Sequence, residues 1–361
     1  MSRKINVGVV GLGYWGPNLA RNIHSLDSCH LKAVCDFNED RLDHFRSNYP
    51  LVEQFKEFDS FLLEGDLDAV ILATGAGSHY QLAEKCLLAG KHVLVEKPLS
   101  ISVADCSNLS ELARSNGLIL MVSHTFLYSP AVRKIKQIVD SGEIGEIRYI
   151  SARRLNLGIF QDDINVSWDL APHDISIILH ILGESPLMVN CQGCANITPG
   201  IEDVATMHLR FSGQRSAVIQ SSWLDPRKVR EMTIVGSKKM IVYDDVAQQQ
   251  KIKIFDTRVE KPMHYDTFAE FHYAYHYGEV HIPHVQQEEP LRVECQHFIN
   301  CINSGQSPLT GGPEGTEVVR ILEASSESLA RNGAPVALKN KRDCPASQSH
   351  ENSKGSIITG F

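Results

Sequence analysis

The sequence lacks the features that would place the protein in a membrane, on nucleic acid or outside the cell. No apolar run among its 361 residues reaches the roughly 20 residues that a spanning helix needs. Lysine and arginine number 35 against 43 aspartates and glutamates and form no cluster, so neither nucleic acid nor a membrane surface is an expected partner. The start, MSRKINVGVVGLG, enters a strand pattern without a secretory signal, and we expect a cytoplasmic protein.

A cysteine pattern typical of disulfides or zinc is also missing. The nine cysteines are odd in number, and Cys35, Cys86 and Cys301 lie in apolar segments, as reduced core residues do. Cys191 and Cys194 form a single Cys-x-x-Cys, whereas a zinc site needs a second pair of ligands at similar spacing. We therefore predict no metal and favour strand packing for this pair over metal or redox use.

The pattern of predicted strands and helices changes near residue 123. Before it, apolar strand patterns such as INVGVV, LDAVILAT and KHVLVE alternate with helical patterns, which is typical of a parallel sheet covered on both faces. Residues 1–123 are therefore predicted to form a doubly wound α/β domain of the Rossmann type. Residues 124–340 contain runs such as RSAVIQSSWL and KMIVYDD, separated by short turns, and predict an α+β domain with a large, open, mostly antiparallel sheet covered by helices. Residues 341–361 are polar and aperiodic and predict a tail.

A glycine turn follows the first strand and precedes a helix. Gly11, Gly13 and Gly16 form G-x-G-x-x-G in the context that dinucleotide binding requires. The first glycine permits the tight turn, the second lets the backbone approach a pyrophosphate, and the third lets helix and strand pack closely. Tyr14 and Trp15, between the last two glycines, are included among the expected cofactor contacts.

Asp36 ends the second strand and strengthens this interpretation. A carboxylate there can accept hydrogen bonds from the adenosine ribose and repels a 2′-phosphate. Phe37 follows it, and Arg41 lies a turn further on, so NAD is favoured over NADP. The alternative is that Asp36 merely caps the next helix.

Two further stretches carry ionisable residues suited to proton and hydride chemistry. Lys97, in KHVLVEKPLS, ends a parallel strand and faces the crevice where a cofactor lies, and Pro98 restricts its backbone. Asp169 and His173 stand four apart in WDLAPHD, with Pro172 interpreted as part of a first helical turn. A histidine suits proton removal from an alcohol near neutral pH, and a lysine ammonium stabilises alkoxide character. The alternatives are a solvated lysine, a core histidine and a capping aspartate.

Taken together, GVVGLGYWG, ATGAGSH at 73–79, E-K-P at 96–98 and D-x-x-x-H at 169–173 resemble the Gfo/Idh/MocA oxidoreductases, the glucose-fructose oxidoreductase and inositol dehydrogenase family. The resemblance covers about residues 4 to 338. It implies that Lys97 contacts the nicotinamide ribose and the substrate hydroxyl, that Asp169 holds the substrate and that His173 is the general base. It also implies a Lys97–Pro98 peptide bond that is often cis.

The same resemblance implies further contacts and two departures from the family pattern. Thr74 and His79 would line the cofactor groove, and Glu96 is included with them. Gly75 replaces the usual proline of this loop, and H124-T-F-L-Y128 replaces an arginine-bearing form, which affects the expected geometry at the domain junction.

The resemblance implies a sugar, polyol or cyclitol hydroxyl as the reacting group. The style of GYWGPNLARN, RRLNLG and WDLAPHDISI is similar to members that oxidise a nucleotide-linked amino sugar, typically at C3. The alternatives are a free sugar or inositol dehydrogenase, a ketosugar reductase working in reverse, and a non-catalytic dinucleotide-binding regulatory protein. Besides the catalytic residues, the candidate substrate contacts are His124, Arg153, Arg154, Asn156 and Trp168, the last mainly structural.

An aromatic-rich segment at residues 263–284 predicts an interface, with sugar or nucleotide packing as the alternative. The resemblance implies a homodimer or homotetramer formed through the C-terminal sheet.

Overall fold

The computed structural model describes residues 3–260 and 273–338. The first part of the aromatic-rich segment, residues 263–272, and the predicted tail, residues 341–361, lie outside the described residues. Within the described ranges, no helix has both the length and the apolar character to cross a membrane. The same ranges hold no group of three or more His, Cys, Asp or Glu side chains arranged to bind a metal ion.

The first sheet is parallel throughout and confirms the doubly wound α/β prediction. Its strand order is β3-β2-β1-β4-β5-β6, so that the direction of winding reverses between β1 and β4. Ligands of such sheets bind at the carboxyl ends of the strands beside this reversal. The strands are β1 (Ile5–Val10), β2 (Cys29–Cys35), β3 (Glu53–Phe55), β4 (Ala69–Leu72), β5 (His92–Glu96) and β6 (Leu120–Ser123).

Five helices alternate with these strands along the chain and begin where local sequence favours a start. Pro17 lies in the first turn of the first helix, where its missing N–H has no helical partner to lose. Asn38 and Ser102 accept backbone N–H groups as N-caps of the second and fifth. The helices are α1 (Gly16–His24), α2 (Glu39–Asn48), α3 (Phe58–Glu64), α4 (Ala76–Leu88) and α5 (Val103–Ser115).

The second sheet is mixed and mostly antiparallel, as predicted. Its order is β14-β13-β12-β11-β7-β10-β9-β8-β15, and β7 pairs parallel with β10 but antiparallel with β11. The strands are β7 (Ile147–Leu157), β8 (Met188–Cys194), β9 (Val204–Arg210), β10 (Ser216–Ser222), β11 (Leu224–Gly236), β12 (Met240–Asp244), β13 (Ile252–Glu260), β14 (Ala274–His281) and β15 (Val336–Ala337). The Cys191–Cys194 pair belongs to β8, with Cys191 buried and Cys194 exposed.

The last two helices of the described chain follow β14 of the second sheet in sequence but also pack against the first domain. The remaining helices are α6 (Pro130–Asp140), α7 (Val166–Leu182), α8 (Pro290–Ser304) and α9 (Gly312–Ala330), with short 3-10 turns η1 (Thr125–Tyr128) and η2 (Ser212–Gln214). Although α8 follows the second sheet in the chain, it packs on α1, where Leu291 and Phe298 share a core with Leu19. In α9, Val319 joins the core of the first domain and Leu322 that of the second. The boundary between residues 123 and 124 stays a prediction.

Candidate active site

The backbone of the glycine turn is closely packed at Gly11 and Gly16 and open at Gly13. Gly11 has φ +88°, a conformation that favours glycine, and a Cβ at Gly16 would lie 1.8 Å from the Gly11 carbonyl oxygen. A Cβ at Gly13 would meet only a guanidinium nitrogen of Arg41, 3.9 Å away. Free N–H groups at the start of α1 therefore face an open cradle, which fits a pyrophosphate. Tyr14 and Trp15 are exposed beside it, with ring centroids 5.2 Å apart.

Asp36 is held rigidly at the adjoining strand end. Only 4% of the residue is exposed, and its carboxylate accepts the N–H of Leu12 at 2.6 Å and of Asn38 at 2.8 Å. The cap of α2 is Asn38, so the capping alternative for Asp36 is wrong. Arg41, one helical turn beyond, places Nη1 3.5 Å from the same carboxylate. Asp36 is thus fixed at the carboxyl end of β2 with an arginine beside it.

Replacing Asp36 with alanine is expected to weaken NAD binding about tenfold or more, because hydrogen bonds to a charged acceptor contribute roughly 1.5–3 kcal/mol. The change also frees Arg41 to pair with a 2′-phosphate, so the preference for NAD over NADP should narrow. Fluorescence titration of both cofactors measures this. Asp43→Ala, on the exposed face of α2, is the matched control. An unchanged preference for NAD over NADP would contradict the assignment of Asp36 to the ribose. In the double variant Asp36→Ala, Arg41→Ala, the improved binding of NADP should disappear.

His79 and Thr74 tie together two loops at the cofactor side of the sheet. The ring of His79 places Nδ1 2.7 Å from the Pro98 carbonyl and Nε2 3.0 Å from the Thr74 carbonyl. With 1% of the residue exposed, this ring lies behind the groove and not on its surface, which corrects the expectation that it lines the groove. Thr74 is partly buried and its hydroxyl bonds Ser78 at 2.8 Å. At the neighbouring Gly75, where the family usually has proline, an added Cβ would meet no atom within 4 Å.

Glu96 also lies inside the protein and not at the cofactor surface. One carboxylate oxygen accepts the Ser123 hydroxyl at 3.1 Å, and the other accepts the backbone N–H of Lys97 at 3.2 Å. Ser123 is also 3.1 Å from Glu294 of α8. Burial raises the pKa of Glu96, and burial and Glu96 raise that of Glu294. This cluster fixes the end of β5, which is a supporting role and corrects the expected cofactor contact.

Lys97, at the end of β5, and Asp169 of α7 form an ion pair. The Lys97 ammonium donates to the backbone carbonyl of Asp169 at 2.8 Å and lies 3.2 Å from its Oδ1. The second carboxylate oxygen of Asp169 accepts the indole N–H of Trp223 at 3.0 Å. The Lys97–Pro98 peptide bond is cis. A cation and an anion, each only partly exposed, are thereby held in contact at the carboxyl end of the parallel sheet.

α7 begins earlier than the sequence suggests. Asn165 is its N-cap and accepts the N–H groups of Ser167 and Trp168 at 3.1 and 3.2 Å, so Asp169 is not the cap. Pro172 consequently lies inside the helix and not in its first turn, which corrects the predicted helix start. The capping strength of asparagine explains the earlier start. Asp169 and Pro172 therefore occupy the first two turns.

His173 follows Asp169 by one turn and is kept neutral. Its ring meets the edge of Phe126, with centroids 5.0 Å apart, and its Nδ1 is fully occluded without a hydrogen-bond partner. Burial, then the charges of Lys97 and Arg154, lower the pKa of His173 well below its ordinary value. The imidazole is therefore unprotonated at neutral pH, as a general base requires.

The other candidate substrate contacts are divided between the two faces of the second sheet. Arg153 is exposed and pairs with Glu231 on one face, while Arg154 is buried on the other. Alternation along a strand explains the division, and it removes Arg153 from the catalytic cluster. Asn156, two residues beyond Arg154, lies on the face of Arg154 and is partly buried.

The two ring-bearing candidates, Trp168 and His124, pack against other elements of the protein. Trp168 is partly buried, packs against both cores and donates its indole N–H to Ser326 of α9 at 2.9 Å, as expected of a mainly structural residue. His124 is buried, and both its ring nitrogens lack hydrogen-bond partners. Burial, then Lys97, lowers the pKa of His124 to about 4. The burial of His124 corrects its expected contact with the substrate, and it arises from elements that come together only in the folded chain.

Buried His124 is expected to make stability depend on pH. Its pKa is depressed on folding, so the unfolded chain takes up a proton near pH 6.5 that the native state refuses until about pH 4. Between these values the free energy of unfolding should fall by about 1.4 kcal/mol per pH unit for this group as pH decreases. Glu96 and Glu294 titrate in the opposite sense, so the quantity to measure is the difference in urea unfolding between wild type and His124→Gln at pH 7 and pH 5. A difference that does not change with pH would contradict the expectation.

Three residues of the site have no counterpart among the sequence-based candidates. They are Phe126, Trp223 and Arg230. Trp223 orients Asp169, Phe126 packs on His173, and the Arg230 guanidinium lies 5.7 Å from the Phe126 ring centre. No local motif marks any of them, because each enters through strand pairing or through the turn at the domain junction.

Comparison with known protein families places both domains. Residues 5–124 match an oxidoreductase family model with an NAD-binding Rossmann fold, and residues 132–242 match the GFO/IDH/MocA C-terminal domain.

Individual relatives match between about two thirds and nearly all of the chain. Myo-inositol 2-dehydrogenase of Thermotoga maritima is 26% identical over 346 residues, covering 90% of this chain and 96% of that protein. UDP-N-acetylglucosamine 3-dehydrogenase of Acidithiobacillus ferrooxidans is 28% identical over 233 residues, covering 64% and 71%. The structure of the WlbA dehydrogenase from Bordetella pertussis, in complex with NADH and UDP-GlcNAcA, shares the fold, with a TM-score of 0.75, 22% identity and coverage of 94% and 100%.

Proposed function

The chain belongs to the Gfo/Idh/MocA oxidoreductase family and is an NAD-dependent dehydrogenase of sugar or polyol hydroxyls, and we propose that it oxidises C3 of a nucleotide-linked amino sugar to a ketosugar. The observation that carries the proposal is the contact of Lys97 with Asp169 beside a neutral His173. These three groups come from two domains and meet where a parallel sheet of this order binds its cofactor.

Each of the three residues has a role in the proposed reaction. His173 takes the proton of the sugar hydroxyl, and Lys97 stabilises the alkoxide character that develops on its oxygen. Asp169, oriented by the indole of Trp223, accepts a hydrogen bond from the sugar. Bound NAD supplies the acceptor for the hydride, while the protein contributes position and charge.

The cofactor contacts belong to the same proposal. Gly11, Gly13 and Gly16 admit the pyrophosphate, with Tyr14 and Trp15 at the rim of the cradle. The ribose is assigned to Asp36 and the nicotinamide side to Thr74 and Lys97. These assignments are supported by the open backbone of the turn, by the fixed carboxylate and by the placement of Lys97 at the end of β5.

The choice of a nucleotide-linked sugar is supported by the relative from Acidithiobacillus, whose name gives a UDP-linked amino sugar as substrate. The relative from Thermotoga favours a second candidate, an inositol or free sugar. A panel of sugar nucleotides, free sugars and inositols, incubated with NAD and followed by NADH absorbance, separates the two. We expect turnover with sugar nucleotides and little with the free compounds. Preference for an inositol would replace the first candidate by the second.

The same panel, extended to ketosugars, tests whether the chain is a reductase or a non-catalytic protein. A ketosugar reductase would oxidise NADH faster with ketosugars than it reduces NAD with alcohols at equal saturation. A non-catalytic regulatory protein would bind NADH and turn over none of the compounds. The presence of Lys97, Asp169 and His173 in one cluster argues against that outcome, since binding alone needs no base.

The proposal includes a homodimer or homotetramer formed through the second sheet. Support comes from β14, an edge strand whose Tyr275 and Tyr277 are exposed, the latter by 76%. Aromatic side chains of this kind are enriched in interfaces. Sedimentation velocity at micromolar protein should give the mass of two or four chains, and a monomer would contradict the proposal. The cytoplasmic location stays a prediction.

A further inference from the structure

Two arginines face each other beside the catalytic base. Arg154 of β7 and Arg230 of β11 are directly opposite partners in the antiparallel register, so their side chains lie on the same face of the sheet. Like charges in this position repel each other, and a sheet has no structural need for them. Their presence therefore points to a counter-charge for each.

Arg154 has its counter-charge within the protein. It forms a bidentate pair with Asp174, at 2.8 and 3.0 Å, and both side chains are about 5% exposed. Its guanidinium carbon lies 4.5 Å from the centre of the Phe126 ring. Arg154 is thus a fixed element of the wall and is not available to a ligand as an ion-pair partner.

Arg230 has a weaker partner, Asp245, which it shares with a second cation. In this ion pair Nη1 of Arg230 lies 3.6 Å from Oδ2 of Asp245, which is longer than an ordinary N–H···O hydrogen bond. Asp245 is already engaged by the Lys251 ammonium at 3.0 Å and by the Tyr243 hydroxyl at 3.1 Å. The Arg230 side chain is 36% exposed, so its guanidinium can reach a ligand. Burial and the neighbouring Arg154 lower the pKa of Arg230, and the pairing with Asp245 offsets this only in part.

The charge balance around the base supports the same conclusion. The Phe126 ring makes an edge contact with the His173 ring, and the Arg230 guanidinium carbon lies 5.7 Å from the centre of the same Phe126 ring. Arg230 is therefore about one aromatic ring away from the base. With His173 neutral, the cluster has one cation in excess. Its cations are Lys97, Arg154, Arg230 and Lys251, and its anions are Asp169, Asp174 and Asp245.

We propose that Arg230 binds an anionic oxygen group attached to the sugar ring whose hydroxyl His173 deprotonates. The chemistry is that of a carboxylate or phosphate, both of which match the donor fork of a guanidinium. Such a group has two possible sources on one ring, a uronic carboxylate or the phosphate at the anomeric carbon. The inference rests on the proposed function and identifies the residue that selects its substrate class.

Four substrates distinguish a bound uronic carboxylate from a bound anomeric phosphate. They are the same amino sugar with or without the uronic carboxylate, each as the nucleotide conjugate and as the free sugar. Arg230→Gln is expected to raise KM by roughly 10- to 100-fold for the substrate that carries the bound anion, the range of a hydrogen bond to a charged group. Turnover at saturation should change little. If Arg230→Gln raises KM for the uronic acid both as the nucleotide conjugate and as the free sugar, Arg230 binds the carboxylate. If it raises KM for both nucleotide conjugates, Arg230 binds the phosphate.

Two control variants separate binding from folding. Arg153→Gln removes an equal charge on the opposite face and should leave KM unchanged. Arg230→Lys keeps the charge without the fork and should recover part of the affinity. An equal KM effect of Arg230→Gln on the neutral free sugar and on the anionic substrates would overturn the inference, as would no effect on any. Wild-type enzyme that oxidises only the neutral free sugar would overturn it while leaving the dehydrogenase intact, whereas no turnover of any compound would contradict the proposed function itself.

Discussion

Replacing Lys97 with methionine is expected to lower kcat by about 10²- to 10⁴-fold while leaving NADH binding nearly unchanged. The loss follows from the removal of the only ammonium that contacts Asp169 among the described residues, because charge stabilisation of a developing oxyanion contributes on this scale. Methionine retains the length of the side chain, so packing at the end of β5 is preserved. Turnover is followed as NADH formation and binding as quenching of tryptophan fluorescence.

Lys85→Met is the matched control, since Lys85 forms an exposed pair with Asp59 far along α4. It should have wild-type activity. His173→Asn should show a loss similar to that of Lys97→Met, because it removes the base. Undiminished turnover in either catalytic variant would contradict the assignment of these residues.

Replacing Gly16 with alanine is expected to abolish measurable NADH binding and to destabilise the fold by about 3 kcal/mol or more. The new Cβ would lie 1.8 Å from the Gly11 carbonyl oxygen, so the turn must open. Overpacking usually costs about 1–3 kcal/mol, and here the obstacle is backbone that cannot rotate away. Urea unfolding and calorimetric titration with NADH measure the two effects.

Gly75→Ala is its control, since a Cβ there meets nothing within 4 Å and φ is −70°. That variant should fold and bind NADH as wild type does. Intact NADH binding by Gly16→Ala would show that the turn is not the pyrophosphate site.

The glycine turn and the end of β5 are predictable because their signals are local. Gly11 and Gly16 are five residues apart, and the strand before them and the helix after them are continuous in the sequence. Lys97 follows an apolar strand directly, so its place at the carboxyl edge of a parallel sheet needs no long-range information. The four-residue spacing of Asp169 and His173 is also a local signal, because both residues lie within a short stretch of the sequence.

The residues that the sequence does not reveal depend on pairing between distant strands. Arg153 and Arg154 are adjacent and chemically identical, and only the register of β7 decides which one faces the catalytic helix. Trp223 lies 54 residues from the Asp169 that it orients. Arg230 stands out only once it is seen opposite Arg154. Interior packing likewise assigns His79 and His124 to the protein core, although their positions in the family motifs suggest contact with ligands.

The predicted start of α7 is wrong for a related reason. Pro172 suggests a helix start, but the side chain of Asn165 caps the helix about two turns earlier. An interior proline costs about 3 kcal/mol in an isolated helix, and burial of α7 between the sheet and α9 offsets that cost. Tertiary packing of this kind is not visible in a window of one helix.

We propose that His173 and Lys97 act on the hydroxyl at C3 of a nucleotide-linked sugar, with hydride transfer to NAD. The most direct test uses such a sugar with deuterium on C3, incubated with the enzyme and NAD, and mass spectrometry of the reduced cofactor. We expect one deuterium in each NADH formed, with a matching 3-ketosugar. Unlabelled NADH would mean that another carbon is oxidised, and the absence of any reduced cofactor with every sugar nucleotide would contradict the account.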